Sequence, residues 1–501
     1  MYPTPESRGV RSATLEKFMK KLDSRRIPMH SLLIARGDDI LLNAYWKPFT
    51  RETLHRQNSV TKSFVALAIG LLIDEGRVAL SDRLVDFFPE CLNSELDPER
   101  ATLTVEDALK MRTSYVATGG GHWVRDRKYG RIKSFFTEPA VKLNDSMFYY
   151  DSTGSYILGC IVERLTGMPF MEYLKEKLLL KLGFSDRAAC IKGGEGYSWS
   201  DSGLLCTAED LYKVGKFIKN GGVHNGEQLL SADFLCKAVS PLSSTDENGA
   251  DTYGSHGYGY QIWCESFGGF GFHGMGAQFM FCCPEKDIFV VCNADTQDSN
   301  NGRIILCDMI RDFIEELGAD EPLEEDRAAF ESLSATLKGL KLASMPAGVE
   351  SEFAASINGA RFVLRENPMG IEWLTLDFDR SVLKYKNAQG EKAILFDIGR
   401  NAFSEFPENG YFDMEIGVDG HCNYPIATSA AWLEDRLFAI KVQFIGKHLG
   451  GLYIRLGFTT DGRVAVSFKK TTNCFLDAYN GNAVGSLLLR EKGDHEVVDE
   501  E

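Results

Sequence analysis

The sequence predicts an α+β body of α/β-sandwich type, an antiparallel sheet with flanking helices, followed by an all-β domain. Three observations carry this expectation. A length of 501 residues exceeds what one hydrophobic core organises, so two domains are expected. From Ser12 to Leu317, apolar helical patterns alternate with short strand-like runs. Beyond Ser351 the pattern is strand-like throughout.

His30 to Lys47 reads as a hairpin, two apolar runs parted by Gly37-Asp38-Asp39. Ser63 to Glu75 is apolar almost all round and stops at Gly76, which places this helix in the middle of its domain. A loop-rich stretch around Thr118 to Trp123 follows. Helices are then expected from Thr153 to Leu165, ended by Thr166-Gly167, and from Ala208 to Lys219, ended by Asn220-Gly221-Gly222. Phe279 to Asp295 repeats the hairpin pattern around Pro284 to Asp287 and is expected in the same sheet as the first hairpin. Arg303 to Leu317 closes the body as a helix.

The expected division is therefore 1–317 for the first domain, 318–350 for an acidic, small-residue connector, 351–490 for an antiparallel barrel or sandwich, and 491–501 for an acidic tail. In the second domain Ile371 to Phe378, Ala393 to Gly399, Leu437 to Phe444 and Gly451 to Lys470 read as strands. Asp461-Gly462 marks a hairpin within the last of these. Trp373 and Trp432 are expected to fill that domain's core.

Composition narrows the function. A formal charge of -16 repels phosphate backbones, and no Lys/Arg stripe offsets it, so nucleic acid is excluded as a partner. No apolar run is long enough to span a membrane. Residues Met1 to Arg11 lack an apolar core and a small-residue cleavage site, so the expected compartment is the cytoplasm. The twelve cysteines are scattered and form no CxxC, which suits a reduced interior better than a disulfide framework or a zinc site. His421 and His448 have no partner at metal spacing, so neither a metal nor another cofactor is expected. The partner that remains is a small molecule.

The chemistry begins at Ser59-Val60-Thr61-Lys62. A spacing of three puts Lys62 one helical turn beyond Ser59 on the same face, so hydroxyl and amine can touch. A serine hydroxyl is a weak nucleophile until a base takes its proton, and a lysine held in a dry site can serve. The plain alternative is a capping serine and a surface lysine. The second element is Tyr150-Asp151-Ser152, just ahead of a helix, where a phenol near a lysine can relay protons. Tyr149 and Tyr150 can equally be core aromatics with Ser152 as a cap. The third is Phe272-His273-Gly274-Met275, entering a strand. Its glycines let backbone approach a substrate, and a strand-edge amide there can pair with that of Ser59 as an oxyanion hole. His273 reads equally well as a packed histidine.

Taken in order, Ser59-Val60-Thr61-Lys62, Tyr150-Asp151-Ser152 and His273-Gly274-Met275 resemble the serine β-lactamase and penicillin-binding-protein family, specifically its class C β-lactamase, family VIII esterase and DD-peptidase members. Gly76, Pro89, Met111 to Ser114, Tyr156 to Gly167, Gly203 to Leu211, Gly222 to Ser231 and Tyr258 to Trp263 resemble that family's scaffold in the same order. The resemblance spans about Glu6 to Leu317. It implies a β-lactamase-like fold with Ser59 as nucleophile, Lys62 as its base partner, Tyr150 as relay and Met275 as the second oxyanion amide. Motif spacing favours Tyr150 over Tyr149.

Two departures steer the expected substrate. Penicillin-recognising members carry a cationic third motif, whereas a neutral imidazole at His273 anchors a carboxylate poorly. Ser152 also replaces an asparagine amide. Both point to an esterase or amide hydrolase working through an acyl-enzyme. A β-lactamase, a D-amino-acid peptidase and a non-catalytic penicillin-binding sensor are the alternatives. A cation can still come from Arg125, Arg127 or Lys128 in the loop before Tyr150. The second domain resembles lipocalin-like tails, and shaping the substrate entrance or supporting a homodimer are the roles open to it.

Overall fold

A computed structural model describes residues 4–114, 130–193, 195–245, 255–298, 302–408, 424–472 and 476–488. The loop at Thr118 to Trp123, the cations Arg125, Arg127 and Lys128, His421 and the acidic tail lie outside these. The described chain forms two compact units that meet in sequence at Ala343 and Ser344.

In the first unit, α1 (Ser12–Ser24) leads into the hairpin of β1 (Met29–Arg36) and β2 (Asp39–Tyr45). Then come α2 (Thr61–Asp74), α3 (Ser152–Thr166) and α4 (Ala208–Lys219). Strands β3 (Ser255–Tyr258), β4 (Trp263–Glu265), β5 (Gly269–Gly274), β6 (Gln278–Cys283) and β7 (Ile288–Ala294) precede α5 (Gly302–Glu316) and α6 (Arg327–Lys338). The strands build one antiparallel sheet in the order β2-β1-β7-β6-β5-β4-β3. Both expected hairpins thus share it, joined through β1 and β7.

Every residue of β1, β6 and β7 is buried, which explains their nearly continuous apolar sequence. Helices cover both faces, so neither set of alternating side chains meets water. Leu33, Phe272, Met280 and Val291 face a core shared with α2, α3 and α4. Leu32, Ile34, Phe279, Phe281 and Val290 face a second core with α1 and α5. The acidic stretch read as a connector holds α6, which packs on α1 and buries Leu333 in that second core.

Helix α2 is buried from Thr61 to Leu72, as its all-round apolar sequence requires. It starts at Thr61 rather than Ser63, because a 3-10 turn at Asn58–Val60 feeds straight into it. Helix α3 runs beside it and is capped by Asp151, whose Oδ1 accepts the Thr153 N–H at 2.8 Å. Within α3, Gly159 admits Ser200: a Cβ there would lie 2.1 Å from the Ser200 Oγ.

The second unit contains β8 (Arg361–Leu364), β9 (Trp373–Asp377), β10 (Val382–Asn387), β11 (Gly390–Leu395), β12 (Asp397–Ile398), β13 (Ala402–Glu405), β14 (Pro425–Glu434), β15 (Leu437–Ile445), β16 (Leu449–Phe458), β17 (Arg463–Lys470) and β18 (Gly481–Leu487). Their order is β11-β10-β9-β8-β18-β17-β16-β15-β14-β12, with β13 also on β14. Strand β11 packs beside β13, so the sheet closes nearly into a barrel. Trp432 packs with Phe378, Phe438 and Phe458 in its interior, and the Arg361 guanidinium covers the Trp373 ring at 4.0 Å. The Asp461-Gly462 pair closes a loop from Thr459 in which Gly462 takes φ 82°, a left-handed value that suits glycine.

Gly159→Ala is expected to lower unfolding free energy by about 1–3 kcal/mol through overpacking against Ser200. Urea denaturation checks this, and an unchanged midpoint would show that Ser200 moves aside freely.

Candidate active site

The turn at Asn58–Val60 presents Ser59 half-buried at the mouth of α2, and Lys62 follows one turn later. Lys62 is 1% exposed, too dry for an ammonium without partners. Its Nζ donates to Ser59 Oγ at 3.1 Å and to the Asp201 carbonyl at 2.8 Å. The same nitrogen lies over the Tyr150 ring, 5.1 Å from its centroid. Ser59, Tyr150 and Asp201, from three separate segments, are thus gathered around the Lys62 nitrogen.

Asp201 is fully buried and supplies more than its carbonyl. Burial alone would raise its carboxyl, but the charges of Arg131 and Lys62 outweigh it and hold the group below the usual carboxylate range. Arg131 Nη1 reaches Asp201 Oδ1 at 2.9 Å and stacks over Tyr156, 4.2 Å from its centroid.

Tyr150 is fixed by an aromatic stack. Its ring lies on Trp263 at 5.8 Å, and Trp263 lies in turn on His273 at 5.3 Å. His273 donates through Nε2 to Glu265 Oε1 at 2.6 Å. Burial pushes the imidazole below its ordinary value, against the opposing pull of Glu265. The ring packs on Phe279 and Phe281, so His273 serves here as a packed, carboxylate-bound histidine. Tyr149 is held by its backbone, which donates to the Met111 carbonyl at 2.9 Å. Ser152 opens α3 half-buried.

What borders Ser59 from the third motif is backbone. A Cβ at Gly274 would lie 2.3 Å from the Gln57 carbonyl oxygen, so only glycine permits this approach of β5 to the Ser59 turn. Met275 follows at the strand end, half-buried, and its carbonyl accepts from Asn58 Nδ2 at 2.9 Å.

Several residues at this site gave little signal in the sequence. Asp201 is one acid among small polar residues, and Arg131 is one of many arginines. Asn58 and Gln278 sit directly beside the motifs, yet single amides carry no spacing pattern. Trp263 stood within the scaffold phrase Tyr258 to Trp263, with nothing to mark it as the bed for Tyr150. Among the described residues no group of His, Cys, Asp and Glu side chains is arranged to hold a metal ion.

Comparison with known proteins gives a match of residues 12–306 to the family model described as β-lactamase. A 6-aminohexanoate-dimer hydrolase of Paenarthrobacter ureafaciens is 28% identical over 311 residues, 58% of this chain and 78% of that protein. Penicillin-binding protein 4 of Amycolatopsis lactamdurans is 29% identical over 140 residues, 27% of this chain and 35% of its own. Among solved structures, one from Bacillus anthracis, assigned provisionally as a 6-aminohexanoate-dimer hydrolase, aligns with a TM-score of 0.50 at 18% identity. It covers 60% of this chain and 82% of its own, a likeness of fold.

Just before the Ser59 turn, His55 receives a hydrogen bond from His30 at 2.7 Å and donates to the Arg56 carbonyl at 3.0 Å. Burial drives His55 down to about 4 from its ordinary 6.5. Between these values the unfolded chain takes up a proton that the folded chain refuses, so stability falls with falling pH. The slope from this one group is at most about 1.4 kcal/mol per pH unit. His55→Gln is expected to flatten the decline between pH 6.5 and 4 in urea titrations. An unchanged slope would remove His55 as its source.

Proposed function

Since the chain belongs to the β-lactamase family, whose members compared above include hydrolases, we propose that it is a serine acyl hydrolase of small esters or amides. The observation that carries the reading is the buried Lys62 nitrogen, 3.1 Å from Ser59 Oγ and facing the Tyr150 ring. Ser59 Oγ adds to the substrate carbonyl carbon, and its proton passes to the Lys62–Tyr150 pair, which reacts in the form that lacks one proton, amine beside phenol or ammonium beside phenolate. The Ser59 and Met275 N–H groups receive the negative charge that forms on the carbonyl oxygen. Collapse expels the alcohol or amine, which takes the proton from the pair and leaves an acyl group on Ser59. Water then adds to the ester, again losing a proton to the pair. The acid departs and Ser59 regains its hydrogen.

The substrate class follows from what the third motif lacks. A β-lactam presents a carboxylate that needs a cation, and His273 is buried, depressed in basicity and already bonded to Glu265. A simple ester or amide needs only nucleophile, relay and oxyanion donors. Similarity to a 6-aminohexanoate-dimer hydrolase also favours a short, simple acyl substrate. Ten described cysteines are free, which supports a reducing compartment such as the cytoplasm.

Ser59→Ala is expected to abolish fluorophosphonate labelling and turnover while leaving the unfolding midpoint nearly unchanged. Retained turnover would end the proposal. Tyr150→Phe keeps the stack on Trp263 and is expected to slow ester turnover about a hundredfold to ten-thousandfold. Full activity in this variant would remove Tyr150 as the relay. At pH 7, p-nitrophenyl esters are expected to turn over faster than nitrocefin, and the reverse order would return the chain to the β-lactamases proper.

A further inference from the structure

We infer that the side-chain amides of Asn58 and Gln278 are positioning residues that clamp the Met275 carbonyl and so hold the Met275 N–H as an oxyanion donor. The inference rests on the acyl-enzyme reading above and adds what fixes its geometry. Two donors converge on the Met275 oxygen, Asn58 Nδ2 at 2.9 Å and Gln278 Nε2 at 3.1 Å. Gln278 is anchored in turn, since Nε2 also donates to the Ala294 carbonyl at 2.6 Å. Asn293 Nδ2 then bridges Gln278 Oε1 at 3.1 Å and Gln57 Oε1 at 3.0 Å, while Asn293 Oδ1 accepts from Ser31 at 2.9 Å.

Gln57 is the chain neighbour of Asn58, so these bonds close a ring: Gln57, Asn293, Gln278, the Met275 carbonyl, Asn58. All four side chains in it are buried, at 3% exposure or less. A closed ring of satisfied amides in a dry interior is stiff, because loosening one bond leaves a buried polar group unpaired. It ties the residue before the nucleophile to the end of β5.

On the other side of Met275, Gly274 is paired with Gln278 in the β5–β6 ladder. Met275 is therefore held at its carbonyl by the amides and, one residue before it, by the last pair of the ladder. Asn58 reaches the carbonyl because its own backbone is left-handed, with φ 47°. Asparagine tolerates that region better than most residues. A rival account is that Asn58 is present only for this φ.

The test uses the full-length protein with Asn58→Gly, Asn58→Asp and Gln278→Glu. Two readouts are p-nitrophenyl butyrate hydrolysis and inhibition by phenylboronic acid. The boronic acid takes Ser59 Oγ onto boron, the hydroxyl proton passing to the Lys62–Tyr150 pair, and leaves a tetrahedral anion. Glycine accepts φ 47° without strain, so Asn58→Gly removes the amide and keeps the turn. Losing an oxyanion donor outright costs about 100- to 1,000-fold, and loosening one is expected to lower kcat by about tenfold or more. KM should stay within about twofold, and boronate affinity should fall in step with kcat. Unchanged kcat and boronate affinity in Asn58→Gly would overturn the clamp and leave only the φ requirement. A rise in KM at constant kcat would overturn it as well. Boronate that fails to bind the unsubstituted protein would instead overturn the acyl-enzyme reading itself, and the clamp with it.

Discussion

A lysine nitrogen buried at the head of an apolar helix is the constraint on which the site depends. Lys62 is the second residue of a helix whose other residues fill the core, where a polar group left without a partner costs about 1–3 kcal/mol. The fold answers with a hydroxyl, a carbonyl and an aromatic face, each from a different segment. Ser59 comes from the turn before α2, Asp201 from the loop that Gly159 admits, and Tyr150 from the cap of α3. The Asp201 carbonyl and the Tyr150 ring stay beside the nitrogen when the Ser59 hydroxyl is lost, so that loss falls on the chemistry rather than on stability.

The surroundings extend this logic outwards. Arg131 and Asp201 neutralise each other within hydrogen-bond distance, so the carbonyl that receives Lys62 belongs to a residue pinned at both ends. Tyr150 rests on Trp263, which rests on His273, which is tied to Glu265. The sheet thus contributes a rigid aromatic wall on one side, against Tyr150, and, through Gly274, close backbone at the Ser59 turn. Two covered faces give the sheet its near-continuous burial, and that rigidity is what a positioned site requires.

Much of this was legible in the sequence. Apolar runs on either side of Gly37-Asp38-Asp39 and of Pro284 to Asp287 marked the two hairpins, and the all-round apolar run after Lys62 marked the central helix, because the hydrophobic pattern records burial directly. The three motifs could be ordered on sight, since their spacing is local. The partners that arrive by tertiary approach were hidden: Asp201, Arg131, Trp263 and Gln278 are single residues whose meaning lies in what crosses them. His273 shows the same limit. Its place in the motif suggested a surface toward substrate, while the structure buries the ring against Glu265, a residue eight positions earlier that only the β4–β5 hairpin brings near. In the second unit the Asp-Gly hairpin was legible, but strands such as β13 and β14, rich in small and polar residues, carry too little alternation to stand out.

The most direct measurement of the central claim is the fate of the acyl group in the first turnover. The protein mixed with p-nitrophenyl butyrate and quenched in acid within that turnover is expected to carry one butyryl group, located by peptide mass mapping to Ser59, together with a stoichiometric burst of p-nitrophenolate. Turnover that proceeds with no adduct, or with the adduct on another residue, would contradict the account.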